Sequence, residues 1–188
     1  MRREIEQEIF SHIEIANRVV STMAVEIEKA SELVVSTLEN GGKILLFGNG
    51  GSAGDAQHIS AEIVGRYKKE RRGLPAIALT TDTSAITAIG NDFGYRYIFS
   101  RQIEALAQPE DLLIAISTSG NSENVIEGLK VGKQIGCSTL GLSGKGGGEM
   151  KKFCDITLVV PSDETPRIQE IHILIGHIFA SMVDRCFS

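Results

Sequence analysis

Residues 43–64 read KILLFGNGGSAGDAQHISAEIV. A short apolar run, KILLF (43–47), enters a glycine-rich turn and then a segment whose apolar residues Ile59, Ile63 and Val64 lie at helical spacing. The run is too brief for a helix and is continuous in its hydrophobicity, the pattern of a strand buried on both faces. PAIAL (75–79), LLIAI (112–116), TLGLS (139–143) and ITLVV (156–160) are runs of the same kind. Helical patterns separate them at 52–67, at 84–106 with a break, at 122–135 and briefly at 149–153. A long last helix is expected from Thr165-Pro166, with Thr165 as N-cap and Pro166 in the first turn, to near Cys186. Upstream, Ile5, Ile9, Ile13, Ala16 and Val20, then Ile27, Ala30, Val34 and Leu38, predict two amphipathic helices. Asn40-Gly41-Gly42 stops the second. Strands alternating with helices predict an α/β fold with a parallel sheet covered on both faces. The expected organisation is one domain over 1–188, a helical pair at 1–40 and an α/β core at 41–188.

The chain has 188 residues, 42% hydrophobic and 23% charged, which suits one globular domain burying roughly 70% of its unfolded surface. Tryptophan is absent and prolines number four, so collagen-like and low-complexity classes are excluded. A net charge of −5 argues against a dedicated nucleic-acid binder. The one basic run, Lys68-Lys69-Glu70-Arg71-Arg72, reads as a solvated helix end or loop. No apolar stretch approaches the ~20 residues of a membrane span. MRREIEQEIF at the amino terminus alternates charge with isoleucine and is not a signal peptide. Cys137, Cys154 and Cys186 are odd in number and unlike zinc spacing, which suggests reduced thiols in a cytosol.

Glycine is in excess, 20 residues or about 11% of the chain against an average near 7%. Eleven of the twenty fall in Gly41-Gly42, GNGGSAG (48–54), Gly120 and GKGGG (144–148), mostly at predicted strand ends, where ligands of such folds sit. GNGGSA (48–53) satisfies the G-x-G-x-x-A pattern of dinucleotide binding, but Asp82, the nearest acidic candidate, comes later than that pattern requires. STSGNS (117–122) is the stronger signal. Ser117, Thr118, Ser119 and Ser122 supply four hydroxyls around Gly120 where a helix starts, and helix-start amides attract anions. The lysine of a nucleoside-triphosphate loop is missing, so the cradle suits a phosphate monoester held by neutral donors.

His58 and Glu62 are four apart on the helix after GNGGS, which puts them on one face beside apolar neighbours. On spacing alone a surface i,i+4 pair is the usual explanation; what brings a site into play is that this helix opens at a ligand-binding strand end. The last helix carries Gln169, Glu170, His172 and His177 among isoleucines, and polar groups there need partners. His172 reads as a structural histidine and His12 as a solvated one, while His177 is open between structural and chemical roles. A carboxylate beside a phosphate cradle with a histidine at hand suits proton transfer alpha to a carbonyl. Asn91 and Asp92 of GNDFG (90–94) suit the hydroxyls of a polyol, so a sugar phosphate is the substrate class expected.

GNGGS (48–52), QHISAE (57–62), GRY (65–67), GNDFG (90–94), ISTSGNS (116–122) and RIQEIH (167–172) followed by His177 resemble, in order, the sedoheptulose 7-phosphate isomerases, or phosphoheptose isomerases, of the sugar-isomerase (SIS) fold. The resemblance implies a three-layer α/β/α domain with a five-stranded parallel sheet, assembled as a homotetramer with sites between subunits. It implies conversion of D-sedoheptulose 7-phosphate to D-glycero-D-manno-heptose 7-phosphate, the first step toward activated heptose for surface polysaccharide. Glu62 matches the family's base and His177 its partner acid. Ser117, Thr118, Ser119 and Ser122 match its phosphate site. Asn49, Gly50, Gly51, Ser52, Glu62, Asn91, Asp92 and Gln169 match other substrate contacts, with Arg66 beside them. One zinc per subunit, held by His58, Glu62, Gln169 and His177, is implied, and no nucleotide cofactor. Neither nucleic acid nor membrane is an expected partner, and the cytoplasm is the expected location. The alternative is a non-catalytic tetramer of the same fold that regulates replication initiation through protein contacts. Such relatives lose the acid–base pair that this chain keeps. A sugar-phosphate-sensing regulator would add a DNA-binding segment, and the terminal helices here are not basic.

Overall fold

Strand β1 (Ile44–Gly48) sends Ile44 and Leu46 to one face of the sheet and Leu45 and Phe47 to the other, all without exposed surface. The same period of two sorts β3 (Leu112–Ser117), with Leu112, Ile114 and Ile116 on the first face and Leu113 and Ala115 on the second. Each such side chain contributes roughly 1.5–3 kcal/mol by leaving water, so both faces must be covered. The computed structural model describes residues 1–188 and shows how. Helices α1 (Arg2–Glu39), α2 (Gly51–Val64) and α6 (Thr165–Phe187) cover the first face. Helices α4 (Ser100–Leu106) and α5 (Glu123–Ile135) cover the second, with α3 (Thr83–Asp92) between the second strand and α4. Strands β2 (Ala76–Ala78), β4 (Ser138–Ser143) and β5 (Ile156–Val159) complete a five-stranded, wholly parallel sheet in the order β2-β1-β3-β4-β5.

The expected amino-terminal pair is instead one continuous helix, α1, of 38 residues. Nothing between Val20 and Ile27 breaks a helix, since VSTMAVEI holds neither glycine nor proline. Its buried stripe is Ile15, Val19, Met23, Ile27, Ala30, Val34 and Leu38, while Ile5, Ile9, Ile13 and Val20 are exposed. The apolar period was therefore real, but its first half faces outward. At the other end, Glu164 takes the N-cap position of α6 and Thr165 is already helical, with no side-chain capping bond.

The basic run is not uniformly solvated. Arg71 has no exposed side-chain surface and pairs with Asp184 of α6 through its Nε at 2.9 Å. Burial pushes the Asp184 carboxyl up, but the amides of Lys69 and Lys68 and the Arg71 guanidinium outweigh it and hold the group below its ordinary range. His12 is likewise not free in solvent, because its Nδ1 lies 2.8 Å from the Glu170 carboxylate. His172 is fully buried on α6 with Nε2 3.2 Å from the Ser143 carbonyl, so that nitrogen carries the proton and donates. Burial pulls its pKa down to about 4, and the bond to Ser143 only partly opposes this. Because the folded value lies below the ordinary 6.5, the stability this neutral ring contributes is full above pH 6.5 and is lost as pH falls through 4. About 3 kcal/mol should go over that interval. Urea unfolding at pH 7 and pH 4 measures it, and His172→Gln should remove most of the difference.

Candidate functional site

From β1 the chain runs outward to β2 and then returns to the other side of β1 to form β3. The sheet order reverses there, so a crevice opens beyond the carboxyl ends of β1 and β3, where open α/β sheets bind ligands. Gly48 pairs with Ile116 in register, which sets the GNGGS turn beside the STSGNS loop.

Ser122 is the N-cap residue of α5, yet its hydroxyl makes no capping bond and lies 3.0 Å from that of Ser117. The two hydroxyls stand at the start of α5, whose first amides have no intrahelical partners, so loop and helix start together offer donors to an anion. Thr118 and Ser119 complete the turn, with Ser119 Oγ accepting from the Asn121 amide at 3.1 Å. The loop is shaped by Gly120, whose φ of +67° disfavours a side chain and whose added Cβ would collide with the Gly147 carbonyl oxygen. GKGGG therefore acts as a buttress. Gly144 donates to Thr118 at 3.1 Å, Met150 to Gly120 at 2.9 Å, and Glu149 to the Asn121 side chain at 2.9 Å.

Asn49 and the buried Asn124 exchange side-chain hydrogen bonds of 2.9 and 2.8 Å, tying the first loop to the second. Tyr95 donates to the same Asn49 oxygen at 3.0 Å and so brings the segment that carries Asn91 and Asp92 toward the crevice. Those two residues close α3, are exposed, and bond to each other at 2.8 Å. Ser52 is buried in the first turn of α2, after the exposed Gly50 and Gly51. Asp82 caps α3 by accepting from Ala85 at 2.9 Å, which commits its carboxylate locally.

His58 and Glu62 stand one turn apart on α2, with Nε2 of His58 3.3 Å from the carboxylate. His177 joins them from α6, its Nε2 3.3 Å from that of His58, and the three donor atoms lie within 4.8 Å of one another. Gly176 makes this approach possible, since a Cβ there would collide with Ile59 of α2. The two helices run in the same direction. Gln169, eight residues before His177, has its amide against Gly51, seven residues before His58. Three of the four residues of the implied zinc set are thus gathered, and Gln169 sits at the GNGGS end of the crevice. Arg66, just past α2, is exposed.

Two histidine nitrogens and a carboxylate gathered within 4.8 Å of one another are ligand types that zinc takes, and the residues present are therefore compatible with the ion. Spacing did not single out Asp55, one turn before His58. Burial pushes its pKa up to about 6, with the His58 charge pulling it partly back, and its Oδ2 has no partner. Asn124 and Tyr95 were also missed, because their partners are remote in sequence, and Tyr67, though part of the GRY motif, was given no role.

Residues 10–144 match the model of the SIS domain. The phosphoheptose isomerase of Aliarcobacter butzleri is 61% identical, over 98% of this chain and 97% of that one. That of a Nitratiruptor species is 55% identical over the full length of both. Among solved structures, the phosphoheptose isomerase of Neisseria gonorrhoeae superposes with a TM-score of 0.93 at 41% identity, over 98% of each chain. The one from Francisella tularensis gives 0.94 at 38%, over 97% of each. Likeness at this level extends through both loops and the α2–α6 pair, and so the chain belongs to the SIS domain family, among its phosphoheptose isomerases.

Proposed function

We propose that the chain interconverts D-sedoheptulose 7-phosphate and D-glycero-D-manno-heptose 7-phosphate, the step that opens activated-heptose synthesis for surface polysaccharide. The observation that carries this is the gathering of Glu62, His58 and His177 on α2 and α6, in a chain whose 117–122 loop sets two hydroxyls together at a helix start. The phosphate docks on Ser117, Thr118, Ser119, Ser122 and the amides at the start of α5. Asn49, Gly50, Gly51, Ser52, Asn91, Asp92, Gln169 and Arg66 hold the polyol. Glu62 removes a proton from C1 of the ketose, and the electrons move to give an enediolate. His177 donates to the developing oxygen on C2; Glu62 then returns its proton to C2 while the C1 hydroxyl gives its proton back to His177, leaving an aldehyde at C1 and both groups in their starting states. His58, Glu62 and His177, with Gln169 in the implied set, would hold zinc, which would supply a Lewis acid for the carbonyl oxygen.

The assembly is proposed as a homotetramer in the cytoplasm. In support, Ile5, Ile9, Phe10, Ile13 and Val20 leave apolar surface on α1, and an apolar groove of about 910 Å³ runs between α1 and α6 past Ala24, Leu174, Ile178 and Met182. The three cysteines are free thiols, and no helix is long and apolar enough to cross a membrane. Retention of Glu62 and His177 weighs against a purely regulatory protein.

The test is to incubate the purified protein with sedoheptulose 7-phosphate, with and without chelator, and follow the aldose by NMR while measuring bound metal. Turnover should appear and should fall at least tenfold when zinc is removed. Activity unchanged by chelation removes the metal, and no turnover in either arm removes the isomerase. Sedimentation of the same preparation should give four chains per particle.

A further inference from the structure

Beyond Arg66, the turn between α2 and β2 has been given no part in the chemistry, yet it is held by many directed contacts. The Tyr67 ring stacks on His177 with centroids 5.2 Å apart and planes 19° from parallel. His58 meets the same His177 ring edge-on, at 5.0 Å and 72°. His177 is therefore held on a face by one aromatic ring and on an edge by another, which fixes the direction of its Nε2.

The turn that presents Tyr67 is itself clamped. Asp184, seven residues after His177 on α6 and 2% exposed, accepts from the Lys68 amide at 2.6 Å, the Lys69 amide at 2.8 Å and Arg71 Nε at 2.9 Å. The remaining guanidinium nitrogens of Arg71 donate to the carbonyls of Glu62 at 2.8 Å and Ile63 at 2.9 Å, which the last turn of α2 leaves without helical partners. One buried ion pair thus grips the end of α2 at Glu62 and the turn that carries Tyr67, and anchors both to the helix of His177. A buried charge pair of this kind is a poor source of net stability, so its geometric effect is the stronger reason for its presence.

From this arrangement we infer that Tyr67 is a positioning residue, whose ring, held by the Arg71–Asp184 clamp, sets the orientation of the His177 imidazole toward His58 and Glu62. The inference deepens the isomerase reading and rests on it for its kinetic arm. What matters is the ring and not the phenol, because the contact is face to face.

The experiment compares wild type with Tyr67→Phe and Tyr67→Leu. Tyr67→Phe should stay within twofold of wild type in kcat and KM. Tyr67→Leu should lose at least tenfold in kcat with KM changed less than threefold, since the ring acts through His177. The structural arm needs no turnover: the ring-current shift that Tyr67 imposes on the His177 ring protons should persist in Tyr67→Phe and vanish in Tyr67→Leu by NMR. Equal losses in both variants would overturn the inference in favour of the hydroxyl. A raised KM with unchanged kcat would overturn it in favour of substrate contact, and unchanged His177 shifts in folded Tyr67→Leu would refute the stack. An inactive wild type would defeat the isomerase reading alone, leaving the ring-current arm to decide the positioning.

Discussion

Glu62→Gln is expected to lower kcat by at least 10³-fold, in the range that loss of a general base removes, while KM stays within a few-fold. Glutamine keeps the shape and one carbonyl oxygen, but its amide cannot accept a proton from carbon near neutral pH. The fold should be indifferent to the change. Glu62 is about one-quarter exposed and its contact is a partly solvated histidine at 3.3 Å, an interaction of small net worth. Melting should therefore shift by no more than a degree or two. A second readout separates loss of the base from a general disturbance: in deuterated water, wild type should exchange the substrate proton carried by Glu62, and Glu62→Gln should not. A variant retaining a tenth of wild-type turnover would remove Glu62 from this role.

Gly120→Ala should be the most damaging single methyl group in the phosphate loop. At φ of +67° an L side chain is strained by about 1–2 kcal/mol. The new Cβ would also press on backbone, the Gly147 carbonyl, and not on the end of a flexible side chain. Backbone there cannot swing aside, because GKGGG is tied to the loop through Gly144, Glu149 and Met150. A loss of about 3 kcal/mol is expected, or roughly 10 °C in melting temperature for a chain of this size. Surviving folded protein should bind sugar phosphate poorly, since Ser117 and Ser122 flank the displaced turn. A melting curve and a phosphate titration measure both effects. An unshifted melting curve would contradict the close packing of the two loops.

The layering of the molecule was legible because burial on both faces of a parallel sheet leaves a direct mark, an unbroken apolar run such as LLIAI. The cradle was legible for a similar reason. Ser117, Thr118, Ser119, Gly120 and Ser122 are contiguous or nearly so, and their chemistry is local. The amino-terminal reading failed where a period of 3.6 states that a helix has an apolar stripe without stating what the stripe meets. Ile5, Ile9 and Ile13 repeat as regularly as Ile27, Ala30 and Val34, yet only the second set touches the sheet layer.

The sequence by itself determined the order of strands and helices, the glycine turns at strand ends, the hydroxyl loop and, through its motifs, the family. Tertiary structure alone decided which distant groups meet. His177 could be assigned no neighbour from spacing, because 119 residues separate it from the His58 nitrogen it approaches. Arg71 looked like part of a solvated basic run until Asp184, 113 residues away, was seen to bury it. Asn49 matched a sugar contact, and only the fold showed that Asn124 and Tyr95 occupy its amide oxygen. Local pattern records what each residue's own backbone and immediate neighbours require. Contacts across the sheet layers depend on how helices settle against one another, and that is a property of packing which no stretch of sequence carries alone.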